Sequence, residues 1–126
     1  MAEKKTILVV DDEPDVLVYL TTFFEDNGYT TLQAKTGIEA INQVRSHHPD
    51  LVTLDITMPE ESGLRMYRTM RETEKYKKIP IILITGVSPE LKRFIGRRKQ
   101  VPLPEGYFEK PIDLEALLKK IRELIG

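Results

Sequence analysis

Ile7-Leu8-Val9-Val10-Asp11-Asp12-Glu13 is the stretch that decides the fold of this chain. Four apolar residues follow one another without alternation and end abruptly in three acids. A short, unalternating apolar run reads as a strand buried on both faces, as in a parallel sheet. Such a strand cannot bury Asp11 and Asp12 as bare charges, so they belong at its carboxyl end, where open α/β sheets place their ligands. Adjacent carboxylates repel, so the site should attract a cation. Oxygen-only donors favour magnesium, calcium or manganese over zinc.

Working outward, the same grammar recurs. Glu13-Pro14-Asp15 starts a helix, with proline suited to its first turn and acids to the positive end of its dipole. Val16, Leu17, Leu20, Phe23 and Phe24 follow at helical spacing, and Asn27-Gly28 ends the helix with Gly28 as a left-handed cap. Residues 29–34 read as a short strand. Thr36-Gly37 opens a second helix with Ile38, Ile41 and Val44 on its inner face. His47 and His48 lie near its end without metal-ligand spacing and read as solvated. Leu51-Val52-Thr53-Leu54-Asp55 is a second strand that ends in a carboxylate. Residues 57–63 form a loop fixed by Pro59 and released by Gly63. The helix that follows turns Leu64, Tyr67 and Met70 inward and Arg65, Arg68 and Arg71 outward. Residues 79–85 form the most apolar strand, with Pro80 at its start. Ser88-Pro89-Glu90 opens another helix, with Leu91, Phe94 and Ile95 inward. Residues 100–106 carry two prolines and cannot continue it. Tyr107-Phe108-Glu109 is the last strand. Lys110-Pro111 turns into a final helix striped by Leu114, Leu117, Leu118, Ile121, Leu124 and Ile125. Five strands alternating with helices over short connections predict a parallel sheet with helices on both faces and right-handed crossovers.

Length and composition narrow the function classes. The chain of 126 residues fits one domain, residues 1–126, with no internal repeat or linker. It has no cysteine, which excludes a disulfide framework and a thiolate metal site. No apolar run approaches the roughly 20 residues of a membrane span, and the N-terminus lacks the apolar core of a signal peptide, so no membrane contact and a cytoplasmic location are expected. Charge is uneven: residues 1–63 carry 4 Lys/Arg against 12 Asp/Glu, and residues 64–126 carry 15 against 8. This asymmetry fits either two solvated faces or an acidic site opposite a basic partner surface. Lys92, Arg93, Arg97, Arg98 and Lys99 make the helix after Ser88 strongly basic, as a solvated face or as a docking patch for an acidic partner. Direct nucleic-acid binding is disfavoured, because no aromatic residues interleave these charges and the domain has no second recognition helix.

The polar residues at the strand ends carry the chemistry. Asp11, Asp12, Asp55 and Thr85 end apolar runs and Lys110 follows the fifth strand; in a doubly wound sheet these ends converge on one edge. Three carboxylates with a divalent cation leave about one negative charge, so an incoming phosphoryl group would need a further cation, which Lys110 can supply. Thr85 can donate to a phosphoryl oxygen. Read singly, Asp11 and Asp12 could cap a helix, Asp55 could be a turn residue, Lys110 a surface lysine and Tyr107 an edge-strand core residue. Read together, three acids on adjacent strand ends without a cation would repel one another.

This set resembles the receiver domain of two-component response regulators, the CheY-like family. The matching pieces are Asp11-Asp12, Asp55-Ile56-Thr57-Met58-Pro59-Glu60-Glu61-Ser62-Gly63, Thr85-Gly86 and Tyr107-Phe108-Glu109-Lys110-Pro111, spread over essentially the whole chain. The resemblance implies a flavodoxin-like three-layer α/β sandwich: a doubly wound five-stranded parallel sheet of order 2-1-3-4-5 with five helices. It implies that Asp55 accepts a phosphoryl group from the phosphohistidine of a sensor histidine kinase or phosphotransfer protein, becoming 4-aspartylphosphate. Asp12, Asp55 and the backbone carbonyl of Thr57 would bind Mg²⁺, with Mn²⁺ as a substitute, and Asp11 would act mostly through a metal-bound water. Lys110 would pair with Asp55 at rest and with the phosphoryl group afterwards. Thr85 and Tyr107 would form the switch. The output face would be the fourth helix, fifth strand and fifth helix, acting on a downstream effector, in a monomer or a weak phosphorylation-dependent dimer. The Lys110-Pro111 bond is cis in the family. Apart from phosphorylating and dephosphorylating itself, such a domain is not an enzyme.

Two departures from the family pattern stand out. The 25 residues from Thr85 to Lys110 exceed the usual spacing by a few. Residues 100–106 also replace the small residues that usually precede the last strand, so the exit of the fourth helix is expected to be remodelled. Two other function classes compete. A phosphatase of the haloacid-dehalogenase type would also use Asp, Thr, Lys and Mg²⁺, but it needs a second Asp where Thr57 stands and a cap for which the chain has no room. A purely structural interaction module would have no need of the intact acid set or of Lys110.

Overall fold

In the computed structural model, which describes residues 4–59, 62–86 and 104–126, strand and helix alternate from Thr6 onward. The elements are β1 (Thr6–Val10), α1 (Pro14–Asp26), β2 (Thr30–Ala34), α2 (Gly37–His47), β3 (Leu51–Leu54), α3 (Ser62–Glu72), β4 (Ile81–Thr85), β5 (Gly106–Glu109) and a C-terminal helix, Leu114–Ile125. All strand pairs are parallel, and the sheet runs β2-β1-β3-β4-β5. This is the expected order. Five helices were expected; four lie among the described residues, and the stretch that should carry the remaining one, from Ser88, lies outside them.

The period of two along each strand builds two cores. Leu8, Val10, Val52, Leu54, Ile81 and Leu83 face one way and pack with Ala40 and Val44 of α2 and Met66, Tyr67 and Met70 of α3. Ile7, Val9, Leu51, Ile82 and Ile84 face the other way, against Leu17, Leu20 and Phe24 of α1 and Leu117 and Ile121 of the C-terminal helix. Each buried aliphatic or aromatic side chain contributes about 1.5–3 kcal/mol. This double coverage is why the strands show unbroken apolar runs, and it confines charge to the strand ends.

The helix termini follow local chemistry. Pro14 occupies the first turn of α1, and Gly28 just beyond its end adopts φ 92°. The Thr36 and Asp113 side chains accept from the backbone N–H groups of Glu39 and Ala116, each at 3.1 Å, capping α2 and the C-terminal helix.

Three expectations about faces need correction. Ile38 is not inward but 77 % exposed. The buried stripe of α2 is Gly37, Ala40 and Val44, because α2 meets α3 so closely that a Cβ on Gly37 would stand 2.4 Å from the Ser62 carbonyl oxygen. Gly63 does not release a loop; it lies within α3 with its Cα against the β3 exit, where a Cβ would come within 2.5 Å of the Asp55 carbonyl oxygen. Arg71 does not face solvent but is buried. It falls on the inward stripe Gly63-Met66-Tyr67-Met70 continued by one step, and the carbonyls of Lys77 and Ile79 and the Glu105 carboxylate receive its guanidinium at 2.9, 3.1 and 2.6 Å.

Candidate functional site: an acidic pocket braced by a lysine

β1 and β3 are neighbours, paired Val10 to Leu54, so the residues that follow them emerge side by side. The Asp11 N–H donates to the Ala34 carbonyl and the Asp55 N–H to the Val10 carbonyl, extending the ladder to the carboxylates themselves. One carboxylate oxygen from each of Asp11, Asp12 and Asp55 lies within 4.8 Å of the others. Asp11 and Asp55 are both only 2 % exposed.

Lys110 is brought in from 55 residues beyond Asp55 by the β4–β5 pairing. Its N–H donates to the Thr85 carbonyl, and the following bond to Pro111 is cis. Its Nζ lies 3.1 Å from Asp11 Oδ2, 3.4 Å from Asp55 Oδ2 and 3.7 Å from Glu13 Oε1. Glu13 had been read only as part of a helix start. Its adjacency to Asp12 was the available signal that it too reaches the pocket.

The electrostatics follow from burial and from these pairs. Burial raises the Asp11 pKa above the ordinary 3.8. The N–H of Glu13 and the ammonium of Lys110 oppose that rise, while the neighbouring Asp55 adds to it. For Lys110, burial works against the charge, but the hydrogen bond to Asp11 and the attraction of Asp55, Asp11 and Glu13 outweigh it and hold the pKa above 10.5. Lys110 therefore remains an ammonium throughout the neutral range.

The two oxygens of Asp55 are treated differently. Oδ2 faces Lys110, whereas Oδ1 accepts both the backbone N–H of Thr57 at 2.8 Å and its hydroxyl at 2.6 Å. The Thr57 hydroxyl contact on Asp55 was not foreseen; its carbonyl alone had been expected to touch the metal. Thr85 ends β4 with its hydroxyl fully buried and without a hydrogen-bond partner among the described residues. Tyr107, paired with Leu83 across β4 and β5, packs against the core beneath α2 and α3, and its hydroxyl is likewise buried without a partner. The structure thus gathers Asp11, Asp12, Asp55 and Lys110 at one point, with Thr57 in the loop directly after Asp55 and Thr85 at the end of the neighbouring strand β4.

Carboxylates with no nitrogen or sulfur donor among them suit a hard divalent cation. Two of the three carboxylates are buried and mutually repelling, so a cation would relieve a strain that Lys110 alone meets only in part.

An acidic pocket that could hold a cation, at the carboxyl edge of a flavodoxin-like sheet and braced by a lysine before a cis-proline, is the arrangement of a class of signalling domains. The chain belongs to the response regulator receiver domain family, whose family model matches residues 7–122. It is 31 % identical over 122 residues to the polar-differentiation response regulator DivK of Brucella ovis, covering 97 % of each chain. It is 33 % identical over 120 residues to the protein PilH of Pseudomonas aeruginosa, covering 95 % of this chain and 97 % of that one. Its fold superposes on the chemotaxis response regulator CheY4 of Vibrio cholerae with a TM-score of 0.82 at 27 % identity, covering 97 % and 99 % of the two chains. It is therefore a CheY-like receiver domain of the two-component signalling type. Such domains are signalling modules rather than conventional enzymes, generally use Mg²⁺, and work with histidine kinases or phosphotransfer proteins and with downstream effectors. No helix among the described residues is long and apolar enough to cross a membrane.

Proposed function

We propose that the whole chain acts as a single receiver domain in which Asp55 accepts a phosphoryl group from the phosphohistidine of a sensor kinase or phosphotransfer protein. The observation that carries this reading is Lys110 Nζ lying between Asp11 Oδ2 and Asp55 Oδ2, with the Asp12 carboxylate alongside. A carboxylate attacks an anionic phosphoryl group poorly until its own charge is countered. Lys110 supplies one compensating charge, and Asp11, Asp12, Asp55 and the carbonyl of Thr57 would hold the Mg²⁺, or Mn²⁺, that supplies the rest. The cation's contribution is to neutralise phosphoryl oxygens as charge moves between donor and acceptor.

In the transfer an Asp55 oxygen forms the new bond to phosphorus, the P–N bond to imidazole breaks, and its electron pair stays on the departing histidine nitrogen. Oδ2 faces the lysine and is the oxygen free of Thr57, so it is the nucleophile. The acyl phosphate brings additional negative charge into the pocket. Thr85, whose buried hydroxyl has no partner among the described residues, turns to donate to it, and Tyr107 packs into the space released. The two movements alter the face of β5 and the C-terminal helix, which an effector reads. Lys110 then keeps hold of the phosphoryl group, and the domain reverses the modification by its own hydrolysis, water taking the phosphoryl group as inorganic phosphate and leaving the Asp55 carboxylate.

Beryllofluoride, which mimics a phosphoryl group on a carboxylate, tests this reading. With Mg²⁺ present, ¹H–¹⁵N spectra should show coupled shifts at Asp55, Thr85 and Tyr107 that vanish in Asp55→Asn. Shifts that persist in that variant, or none in the wild type, would reject it. Steady release of phosphate from many phosphomonoesters would favour the phosphatase reading instead.

A further inference from the structure

Glu13 stands at the head of α1, beside the acidic pocket. Its backbone is fixed from both sides. The N–H donates to Asp11 Oδ1 at 2.9 Å, and the carbonyl accepts from the N–H groups of Val16 and Leu17, each at 3.1 Å. The position is the N-cap of α1, yet the Glu13 carboxylate makes no capping hydrogen bond. Capping favours the shorter Ser, Thr, Asp and Asn, whose side-chain oxygens reach the first N–H groups of a helix. The longer Glu13 side chain turns to Lys110 instead, with Oε1 3.7 Å from Nζ. Glu13 is not one of the three carboxylates that gather within 4.8 Å of one another. Its side chain is 64 % exposed, whereas those of Asp11 and Asp55 are 2 % exposed. One ammonium is therefore shared between buried inner acids and a single outer acid on the solvent side.

We propose that Glu13 sets the order in which the pocket fills, drawing in the divalent cation and holding off the anionic phosphoryl group until that cation is bound. The phosphoryl half of this role rests on Asp55 being the phosphoacceptor, as proposed above. Among the described residues, Asp11, Asp12, Asp55 and Glu13 against Lys110 leave three negative charges when all are ionised. Glu13 supplies one of these, and a divalent cation cancels two. Cation and phosphoryl group enter the same field with opposite signs, so the Glu13 charge helps the first and hinders the second. The direction of both effects depends on the charge of Glu13 alone. Standing outside the inner cluster, Glu13 acts through space and through Lys110 rather than as a ligand. An ion pair this long and exposed contributes little to stability. A carboxylate at the positive end of α1 favours the helix, but that contribution carries no preference between cation and anion.

Glu13→Gln keeps the shape of the side chain and removes its charge. Two titrations of the ¹⁵N-labelled full chain at fixed ionic strength read the two signs separately. The first adds Mg²⁺ alone; the second adds beryllofluoride with Mg²⁺ at saturation for each protein. Glu13→Gln should bind Mg²⁺ about threefold to tenfold more weakly and beryllofluoride about threefold more tightly, and both differences should shrink as salt rises. The altered side chain is exposed, so unchanged spectra away from the pocket verify the fold. A purely structural role for Glu13 would move both affinities the same way, or neither. Unchanged Mg²⁺ affinity, or beryllofluoride binding that is unchanged or weakened, would overturn the proposal. A wild type that takes up Mg²⁺ but no beryllofluoride would refute the phosphoacceptor role of Asp55 and the ordering with it, whereas the variant's titrations refute the ordering alone.

Discussion

Arg71→Ala removes a buried side chain with several partners outside the acidic pocket. The Arg71 side chain is 3 % exposed, and its guanidinium meets the Glu105 carboxylate, the carbonyls of Lys77 and Ile79 and the face of Tyr67 at 5.3 Å. It therefore ties the end of α3 and the turn after it to the residue that leads into β5. Burial works against its charge, but the hydrogen bonds and the attraction of Glu105 and Tyr67 prevail and raise its pKa above the ordinary guanidinium value. Removing one member of a buried pair typically costs about 3–5 kcal/mol. The Glu105 side chain is 26 % exposed and regains some hydration, so the low end applies, about 3 kcal/mol. For a chain of this size that lowers Tm by about 10 °C, a large part of the 5–15 kcal/mol (roughly) that small domains possess. Urea unfolding followed by circular dichroism measures it, with Glu105→Gln and the double variant completing a thermodynamic cycle. A loss below about 1 kcal/mol, or no coupling between the two positions beyond about 0.5 kcal/mol, would refute the view that this pair fastens β5.

Other outcomes follow from the same structure. Gly63→Ala should cost about 2–4 kcal/mol and displace the Asp55 loop, because the added Cβ would lie 2.5 Å from the Asp55 oxygen and 2.7 Å from the Ile56 Cα; calorimetry together with Mg²⁺ titration checks both effects. Thr53→Val should be neutral or stabilising by up to about 1 kcal/mol, since the Thr53 hydroxyl is buried without a partner among the described residues; chemical denaturation decides. Lys110→Ala should slow phosphorylation by about 10²-fold while Mg²⁺ still binds, as single-turnover transfer and metal titration would report. Because the folded Lys110 pKa lies above 10.5, its contribution to stability is complete below that pH and is lost as pH rises through the folded value. Alkaline unfolding of Lys110→Met should accordingly be less steep than that of the wild type.

The sheet was legible because burial on both faces leaves a plain mark: Ile7 to Val10 and Ile81 to Ile84 are apolar without interruption, Leu51 to Leu54 is broken only by Thr53, and all three close in polar residues. The acidic pocket was legible for the same reason, since charge that follows a buried strand has only the sheet edge to occupy. Helix rotation was harder to read. A stripe of Ile38, Ile41 and Val44 and one of Gly37, Ala40 and Val44 differ by a fraction of a turn, and the close approach to Ser62, a tertiary contact, selects the second. Arg71 misled because charge normally implies solvent, and its partners, Glu105 and two turn carbonyls, lie up to 34 residues away. The hydroxyl of Thr57 on Asp55 depends on loop geometry that residue type alone does not specify.

The most direct measurement of the central claim is the intact mass of the protein after incubation with Mg²⁺ and acetyl phosphate. The account predicts the gain of one phosphoryl group, reversed by hydroxylamine as an acyl phosphate should be, absent when the metal is chelated, and absent in Asp55→Asn. An unchanged mass in the wild type, or a phosphoryl group still gained by Asp55→Asn, would contradict it.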